Sequence, residues 1–317
     1  MADLKLSVFI VAYNQEEYIA QAIESVVNQS IAPYEIVISD DCSTDNTWNI
    51  IQNYTTQYQS LIKSYRNESN IGIYKNFNKA TNLVTGNLIT CVAGDDYINP
   101  GYHETVFQFI NDNQLNPETD SFILIPDIVK LLSGVEAKYS NFRYVGQNIR
   151  KLSIRGLIDD RYGIVSRPLL NNLSAFLENI GIYADFVWNR ERYLKANQIY
   201  CIGGYYPVYR IGVGIVSKTK EREAAISYNK ALEIVKQRFG KAYDKSDLRY
   251  MEYLKRKNHF IIKRSLSNYL IVVYYTFVNT GNFYSLKKQV KALTFIFLPK
   301  KIKQLLFKIT YFKLLSK

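Results

Sequence analysis

The chain has 317 residues, 47% of them hydrophobic, so it is long enough to bury a full core and to form a large domain with a second, smaller one. Its three cysteines and two histidines lie far apart, which argues against a disulfide framework or a histidine-based zinc site and suggests a reducing compartment. The net charge of +12 is uneven, because residues 240–317 hold 17 Lys and Arg but only 3 Asp and Glu.

Four apolar, β-rich runs near the N-terminus predict buried strands, and segments with helical spacing lie between them. The predicted strands are 6–13, 34–41, 62–65 and 86–92, followed by 121–126 and 200–209, and the predicted helices are 16–28, Thr47–Gln57, 75–84, 186–196 and Glu221–Phe239. Strands that alternate with helices through short connections are typical of a parallel sheet covered on both faces. The sequence therefore predicts an α/β fold with a mostly parallel sheet.

Polar clusters follow three of these strands, namely Tyr13-Asn14, Asp40-Asp41 and Asp95-Asp96. Because ligands of such sheets bind at the carboxyl ends of the strands, we expect the three clusters to face one crevice. Carboxylates suit Mg²⁺ or Mn²⁺, whose remaining ligands are commonly substrate phosphates. Taken alone, Asp95 and Asp96 fit a helix-start acid and its solvated neighbour equally well. Glycine-rich dinucleotide and Walker loops are absent.

Several short motifs occur in the order typical of a known family. They are Ser-Val-Phe-Ile-Val-Ala-Tyr-Asn at 7–14, Ile-Glu-Ser-Val-Val-Asn-Gln at 23–29, Glu-Ile-Val-Ile-Ser-Asp-Asp-Cys-Ser-Thr-Asp at 35–45, Asn-Ile-Gly at 70–72, Asn-Lys-Ala at 78–80, Gly86, and Gly-Asp-Asp at 94–96 with Pro100 behind it. Through them residues 5–100 resemble the catalytic domain of the family 2 glycosyltransferases, and a segment near 184–217 resembles it moderately. The resemblance implies a Rossmann-like GT-A domain over 1–220, with a nucleotide-sugar half (1–100) and an acceptor half (101–220).

The resemblance also implies which residues bind the nucleotide. Tyr13 would stack near the base, Asp41 would accept a hydrogen bond from the base edge, and Asn14 and Asn70 would line the same site. Asp45 instead suits helix capping.

The resemblance places the diphosphate and a divalent metal at Gly94 and Asp95. Asp95 matches the last, metal-binding Asp of the family's Asp-x-Asp motif, whereas Ala93 stands at the first position. A metal would thus be held by Asp95 and the diphosphate. Gly212 also departs from the family, because it replaces a histidine that could contact metal or phosphate.

An inverting sugar transfer needs a general base, and the resemblance points to Asp185. It lies in a segment similar to the family's base-bearing helix, in which Ala184 replaces the usual Glu. The alternative for Asp185 is a first-turn acid that only stabilises its helix. The fallback candidates are Asp159, Asp160 and Glu178. Three basic residues of this helix, which could touch diphosphate, are interpreted as a solvated face: Arg190, Arg192 and Lys195.

The basic C-terminal quarter is predicted to form a helical region, 221–317, in which 240–317 contacts an anionic membrane surface. Residues 300–317 fit a basic amphipathic helix. The alternative is a helical subdomain packed on the catalytic domain, and no nucleic-acid-binding signature is present. No signal pattern and no uncharged run of the roughly 18–20 residues needed to span a bilayer are found.

Together these features predict an inverting glycosyltransferase that uses a nucleotide sugar, most simply a UDP-sugar, with Mg²⁺ or Mn²⁺. Its acceptor would be a glycan hydroxyl, on a lipid-linked oligosaccharide, in the synthesis of a surface polysaccharide, O-antigen or capsule. The protein would be cytoplasmic and peripheral on the inner face of the membrane. A nucleotidyltransferase and a catalytically impaired nucleotide-binding scaffold are the alternatives.

Overall fold

The computed structural model describes residues 3–149, 152 and 158–263. The chain divides between residues 218 and 219 into two compact units. The first unit contains the sheet and every residue that the sequence assigned to a site. The predicted amphipathic helix at 300–317 lies outside the described residues.

The first four strands of the sheet are parallel and lie where the apolar runs predict them. They are β1 (Leu6–Ala12), β2 (Glu35–Asp40), β3 (Ile62–Arg66) and β4 (Leu88–Ala93), arranged in the order β3-β2-β1-β4. Burial on both faces explains why the central residues of β1 and β2, 8–12 and 36–38, are continuous apolar runs rather than alternating.

Helices cover both faces of these strands and separate two parts of the core. On one face Val8 and Ile10 pack with helices α1 (Ile19–Val27), α2 (Thr47–Gln57) and α4 (Tyr102–Asp112), and on the other Phe9 packs with α3 (Ile73–Leu83). Successive side chains of a strand point to opposite faces, so a single run of apolar residues supplies both layers. This confirms the predicted α/β architecture.

The second half of the sheet is mixed in direction. Its strands are β5 (Tyr97–Ile98), β6 (Phe122–Leu132), β7 (Val135–Tyr139), β8 (Ile164–Ser166) and β9 (Gln198–Arg210). β8 lies antiparallel between β4 and β6, whereas β9 runs parallel to β6, and β5 and β7 pair antiparallel with β9 and β6. The two long strands β6 and β9 thus form the centre of the half of the domain that the sequence predicts to bind the acceptor.

The described part of the first unit also contains the helices α5 (Arg167–Asn172), α6 (Ala184–Lys195) and α7 (Ile215–Lys218). The interpretation of the α6 cations as a solvated face is wrong for two of them. Arg192 is buried and pairs with Asp160, and Arg190 is buried with its guanidinium 3.7 Å from the Phe186 ring centroid. Partners elsewhere in the fold make burial of these charges tolerable.

A buried carboxylate, Glu35, ties the start of β2 to its neighbours. It accepts hydrogen bonds from Ser7 Oγ at 2.8 Å and from the Thr85 hydroxyl at 2.7 Å, and Lys63 Nζ lies 2.9 Å away. Burial alone would raise the pKa of Glu35, but these partners outweigh it and lower the pKa to about 2.

We expect Glu35 to make folding stability depend on pH. Because its pKa is lower in the folded state, its contribution is complete above the unfolded value of 4.5 and is lost as the pH falls from there to about 2. In urea unfolding, Glu35→Gln should cost on the order of 2 kcal/mol at pH 7 and close to nothing near pH 2. An equal cost at both pH values would contradict this account.

The second unit, as far as it is described, consists of two helices packed against each other. They are α8 (Glu221–Phe239) and α9 (Lys245–Ile262). Asn258 Nδ2 donates to Asn229 Oδ1 at 2.9 Å across the pair, and the Asp244 carboxylate caps the start of α9. Within the described residues, no helix is long and apolar enough to cross a membrane.

Candidate active site

The carboxyl ends of β1 and β2 are joined by side chains of the predicted nucleotide site. Asn14 has a left-handed backbone with φ of 51°, its N–H donates to Ser43 Oγ at 2.9 Å, and its Oδ1 accepts from the Thr44 N–H at 2.8 Å. Tyr13, directly after β1, is 44% exposed. Asn14 therefore shapes the edge of the sheet where these strands end, which we call the rim, while the Tyr13 ring is accessible to a ligand.

Asp41 organises the loop between β3 and α3. Its carboxylate is buried and accepts hydrogen bonds from Asn67 Nδ2 at 2.9 Å, the Ile71 N–H at 2.9 Å and the Gly72 N–H at 2.8 Å. Since each carboxylate oxygen has two lone pairs, Oδ2 keeps acceptor capacity beyond Gly72. Asn70 lies exposed in the same loop. The structure thus brings Asp41 and Asn70 together at the rim.

Asp45 has the capping role that the sequence favours. Its carboxylate accepts from the Thr47 N–H at 3.0 Å and from the Glu16 N–H at 3.2 Å. It therefore stabilises the start of α2 and connects it to the segment after β1.

Asp95 and Asp96 have different surroundings. Asp96 is buried and accepts hydrogen bonds from the Tyr162 hydroxyl and, at 2.6 Å, from the Arg210 N–H. Burial, followed by the Asp95 charge, raises the pKa of Asp96 to about 7. Asp95 faces the loop after β9, where a Cβ on Gly214 would lie 3.2 Å from its Oδ2. Among the described residues, none donates to the Asp95 carboxylate from elsewhere in the chain, so this is the acid that remains available.

Arg210, at the end of β9, fixes the backbone that carries Asp95. One guanidinium nitrogen donates to the Asp95 carbonyl oxygen and another to Gln21 Oε1. The guanidinium also lies 4.8 Å from the ring centroid of Tyr97 and 5.1 Å from that of Tyr18. Arg210 is thus held by contacts on all sides and positions Asp95.

Gly94 lies where the segment between β1 and α1 approaches the backbone closely. A Cβ at this position would be 2.2 Å from Gln15 Oε1 and 3.2 Å from Ile19 Cδ1. A larger residue at position 94 would therefore displace the end of the Gln15 side chain and press against Ile19.

We expect Gly94→Ala to destabilise the protein by about 1 kcal/mol, the low end for overpacking, because the end of the Gln15 side chain must move away from the added methyl group. Thermal unfolding of Gly94→Ala and of the double variant with Gln15→Ala measures this. The shorter side chain at position 15 should restore at least half of the loss, and no recovery would contradict the proposed contact.

The site offers a divalent metal one free carboxylate. The described residues contain no cluster of three or more His, Cys, Asp or Glu side chains that could hold an ion, Ala93 lacks a ligand group, and Asp96 is engaged by Tyr162 and Arg210. Mg²⁺ is commonly bound by one or two carboxylates together with substrate phosphates and water. Asp95 therefore fits a metal that a diphosphate helps to hold.

Asp185 lies in the first turn of α6. Its side chain reaches solvent, yet protein atoms crowd around it, and this partial loss of hydration raises its pKa to about 6. The Phe186 N–H, 2.8 Å from Oδ1, opposes the rise, whereas the charge of Asp160 adds to it. Tyr74 lies at the start of α3, close to Asp185. Burial raises the pKa of Tyr74, and the Asp185 charge raises it further. Asp185 thus lies beside α3, the helix that follows the loop organised by Asp41.

The fallback carboxylates are engaged in ion pairs. Asp159 lies 2.8 Å from Lys130 Nζ, Asp160 pairs with Arg192, and Glu178 lies 3.5 Å from Lys75 Nζ. Asp185 forms no ion pair with a described residue. Its raised pKa and the lack of an ion pair with a described residue favour Asp185 over the other three as a proton acceptor near neutral pH.

Sequence reasoning missed Arg161 and Tyr162. The Tyr162 hydroxyl donates to Asp96, and its carbonyl accepts from the Tyr102 hydroxyl at 2.6 Å and from Thr90 Oγ1 at 3.1 Å. Arg161 acts electrostatically on both Asp96 and Asp185. These residues, which Arg161 and Tyr162 contact or influence, are far away in sequence. The local sequence, 155–167, shows only a mixture of charged and loop-forming residues.

A cavity of about 430 Å³ lies between α3, α5 and α6, apart from the rim. Phe176 and Trp188 line it and stack on each other with centroids 4.7 Å apart, and Phe176 also stacks on Tyr74 at 5.5 Å. This aromatic stack lies next to Asp185, so the cavity is adjacent to the candidate site without containing its carboxylates.

The model of the family described as Glycosyl transferase family 2 matches residues 7–160. Residues 7–160 thus match the domain of glycosyl transferase family 2. The matched residues include Tyr13-Asn14, Asp40-Asp41 and Asp95, and they end just before Arg161 and Tyr162. The resemblance inferred from the sequence motifs is thereby confirmed.

Two curated relatives of the family 2 domain have descriptive names. EpsE of Bacillus subtilis, named as a glycosyltransferase, is 33% identical over 110 residues, which is 35% of this chain and 40% of EpsE. TarS of Staphylococcus aureus, a poly(ribitol-phosphate) beta-N-acetylglucosaminyltransferase, is 27% identical over 216 residues, which is 66% of this chain and 36% of TarS. The chain thus spans well under half of either relative.

Two solved structures share the fold at low sequence identity. TarS 1–349 of S. aureus in complex with UDP-GlcNAc has a TM-score of 0.65 at 22% identity, covering 92% of this chain and 84% of that one. The mannosyltransferase PcManGT of Pyrobaculum calidifontis with GDP-Man and Mn²⁺ has a TM-score of 0.58 at 12% identity, covering 95% and 83%. These similarities confirm the GT-A fold predicted from the sequence.

Proposed function

We propose that this chain is an inverting glycosyltransferase that moves a sugar from a nucleotide sugar to a hydroxyl of a glycan acceptor. The observation that carries the proposal is the placement of two carboxylates, Asp95 and Asp185, at different elements and in different surroundings. Asp95, at the end of β4, is free to face the donor diphosphate, while Asp185, at the start of α6, is an unpaired carboxylate with a pKa of about 6. A base with a pKa somewhat below neutral is ionised at pH 7 and can still accept a proton.

In the proposed reaction the acceptor oxygen attacks the anomeric carbon of the donor sugar, and the bond from that carbon to the diphosphate oxygen breaks. Asp185 takes the proton from the acceptor hydroxyl. The leaving nucleoside diphosphate keeps the electron pair of the broken bond. A single displacement of this kind inverts the anomeric configuration.

A divalent metal would supply positive charge where the diphosphate leaves. Asp95 would be its ligand from this chain, and Arg210 keeps that residue in place through the Asp95 carbonyl oxygen. The mannosyltransferase PcManGT, which shares the fold, has been solved with Mn²⁺, which supports a divalent metal at this site.

A UDP-sugar is the proposed donor. TarS, which shares the fold, has been solved with UDP and with UDP-GlcNAc. In this chain, Asp41 keeps acceptor capacity on Oδ2 for the base edge, Tyr13 is exposed next to it, and Asn14, Asn70 and Gly94 complete the same rim.

The proposed pathway is the synthesis of a cell-surface polysaccharide, with the acceptor on a lipid carrier. The poly(ribitol-phosphate) polymer in the name of TarS supports the first part of this proposal. The excess of positive charge in 240–317 supports peripheral binding to an anionic membrane on its cytoplasmic face.

Calorimetric titration of the protein with UDP, GDP and CMP, with and without Mn²⁺, tests the donor assignment. We expect UDP to bind at least tenfold more tightly than GDP or CMP, and Mn²⁺ to strengthen that binding. Tight UDP binding without turnover of any UDP-sugar would favour the scaffold alternative. Equal binding of all three nucleotides would contradict a UDP-sugar donor.

A further inference from the structure

A row of cations stacked on tyrosine rings crosses the acceptor half of the sheet. This cation–tyrosine strip consists of Arg161, Tyr209, Lys130, Tyr139, Arg143 and Tyr144. The distances from cation to ring centroid are 3.8 Å for Arg161 on Tyr209, 4.5 Å for Lys130 on Tyr139, and 4.7 and 4.8 Å for Arg143 on Tyr139 and Tyr144. Four cation–ring contacts thus fall among these six residues.

The register of the strands makes the strip continuous. Tyr209 of β9 lies opposite Lys130 of β6, and paired residues share a face of the sheet. Asp159 connects Lys130, at 2.8 Å, to Arg161, at 3.3 Å. Glu136 lies opposite Leu131, the neighbour of Lys130, and therefore on the other face. Asp159 is thus the carboxylate that pairs with two cations of the strip, and Arg161 also lies within electrostatic reach of Asp96 and Asp185.

One end of the strip reaches the catalytic rim. Arg161 directly precedes Tyr162, whose hydroxyl donates to Asp96, and it lies within electrostatic reach of Asp185. Its side chain is 43% exposed. Arg143, at the other end, is exposed, and so is its neighbour Phe142, at 54%. A chain-like ligand that begins at Asp185 can therefore continue along the strip.

We propose that the cation–tyrosine strip binds an anionic glycan, so that the acceptor carries phosphate or carboxylate groups in its repeating unit. This inference rests on the proposed function, because it names the class of acceptor. The rings hold the cations in place, which reduces the side-chain entropy lost when a ligand binds. Arg143 makes no ion pair with a described residue, so its charge is available to an anion.

Binding measurements with three polymers test this proposal. A glycerol-phosphate polymer presents phosphodiesters, polygalacturonate presents carboxylates, and dextran is neutral. The variant is Arg143→Gln. The control is Lys5→Gln, because Lys5 also stacks on a tyrosine, Tyr34, at 5.6 Å, but lies before the start of β1, at the opposite end of that strand from the site rim.

We expect the wild-type protein to bind at least one anionic polymer at least tenfold more tightly than dextran. Arg143→Gln should weaken that binding about fivefold, as expected for loss of a charge-assisted contact, and Lys5→Gln by less than about twofold. The polymer that shows the larger effect identifies phosphate or carboxylate as the anion. Unchanged UDP binding and melting temperature in both variants would show that the donor site and the fold are intact.

Equal losses in the two variants would overturn the proposal, because they would indicate attraction by net charge alone. Binding of dextran as tight as that of the anionic polymers would also overturn it. So would an effect of Arg143→Gln on anionic phospholipid vesicles but not on polymers, which would make the strip a membrane contact. A wild-type protein that binds no UDP would refute the proposed function, whereas the polymer comparison would still test the strip.

Discussion

Replacement of Asp185 by Asn is expected to reduce kcat for sugar transfer by about 10²- to 10⁴-fold, the usual contribution of a general base. The amide has nearly the shape of the carboxylate but cannot accept the proton of the acceptor hydroxyl. UDP affinity should stay within about twofold, because Asp185 lies on the acceptor side. Steady-state kinetics together with UDP titration measures both effects.

Glu178→Gln is the matched control for Asp185→Asn. Glu178 lies shortly before α6, is also solvent exposed, and pairs with Lys75 at 3.5 Å. Its replacement should leave kcat within about threefold of the wild-type value. If Glu178→Gln removes activity and Asp185→Asn does not, the assignment of the base is wrong.

The pKa of Asp185 also predicts how transfer depends on pH. A base is active when it is deprotonated, so kcat/KM should be level above pH 7 and fall about tenfold per pH unit well below pH 6. A free carboxylate would show this decline near pH 4 instead. An inflection at that lower pH would contradict the crowded environment of Asp185.

Asp95→Ala is expected to remove the part of UDP affinity that depends on Mn²⁺. The loss should be on the order of 100-fold, or about 2.7 kcal/mol, because Asp95 is the carboxylate that remains available to a metal at this rim. Titration of the variant with UDP in the presence and absence of Mn²⁺ should give two similar, weak affinities.

Asp112→Ala controls for the loss of one negative charge. Asp112 is exposed at the end of α4 and is not part of the rim. Its replacement should leave the Mn²⁺-dependent affinity unchanged. Strong Mn²⁺-dependent UDP binding by Asp95→Ala would show that another group holds the metal.

The first half of the fold could be predicted because its signals are local. The strands β1, β2 and β4 are mainly apolar and rich in β-branched residues. The predicted bounds of α2 agree with the structure because polar loop residues precede that helix. The polar residues after β1, β2 and β4 meet at one rim because parallel strands place their carboxyl ends together.

The second half could be predicted only in part, since its contacts join distant segments. β8 has three residues, and its antiparallel place between β4 and β6 is set by pairing rather than by its own sequence. The burial of Arg192 depends on Asp160, 32 residues away. The hydrogen bond that occupies Asp96 comes from Tyr162, 66 residues away. Periodicity along the chain cannot reveal such partners.

Release of UDP from a panel of UDP-sugars, with release of pyrophosphate from UTP measured alongside, tests the central claim most directly. We expect the wild-type protein with Mn²⁺ and a glycan acceptor to release UDP from at least one UDP-sugar, and Asp185→Asn to do so at least about 100-fold more slowly. Pyrophosphate release from UTP without UDP release would contradict the account and would make the protein a nucleotidyltransferase.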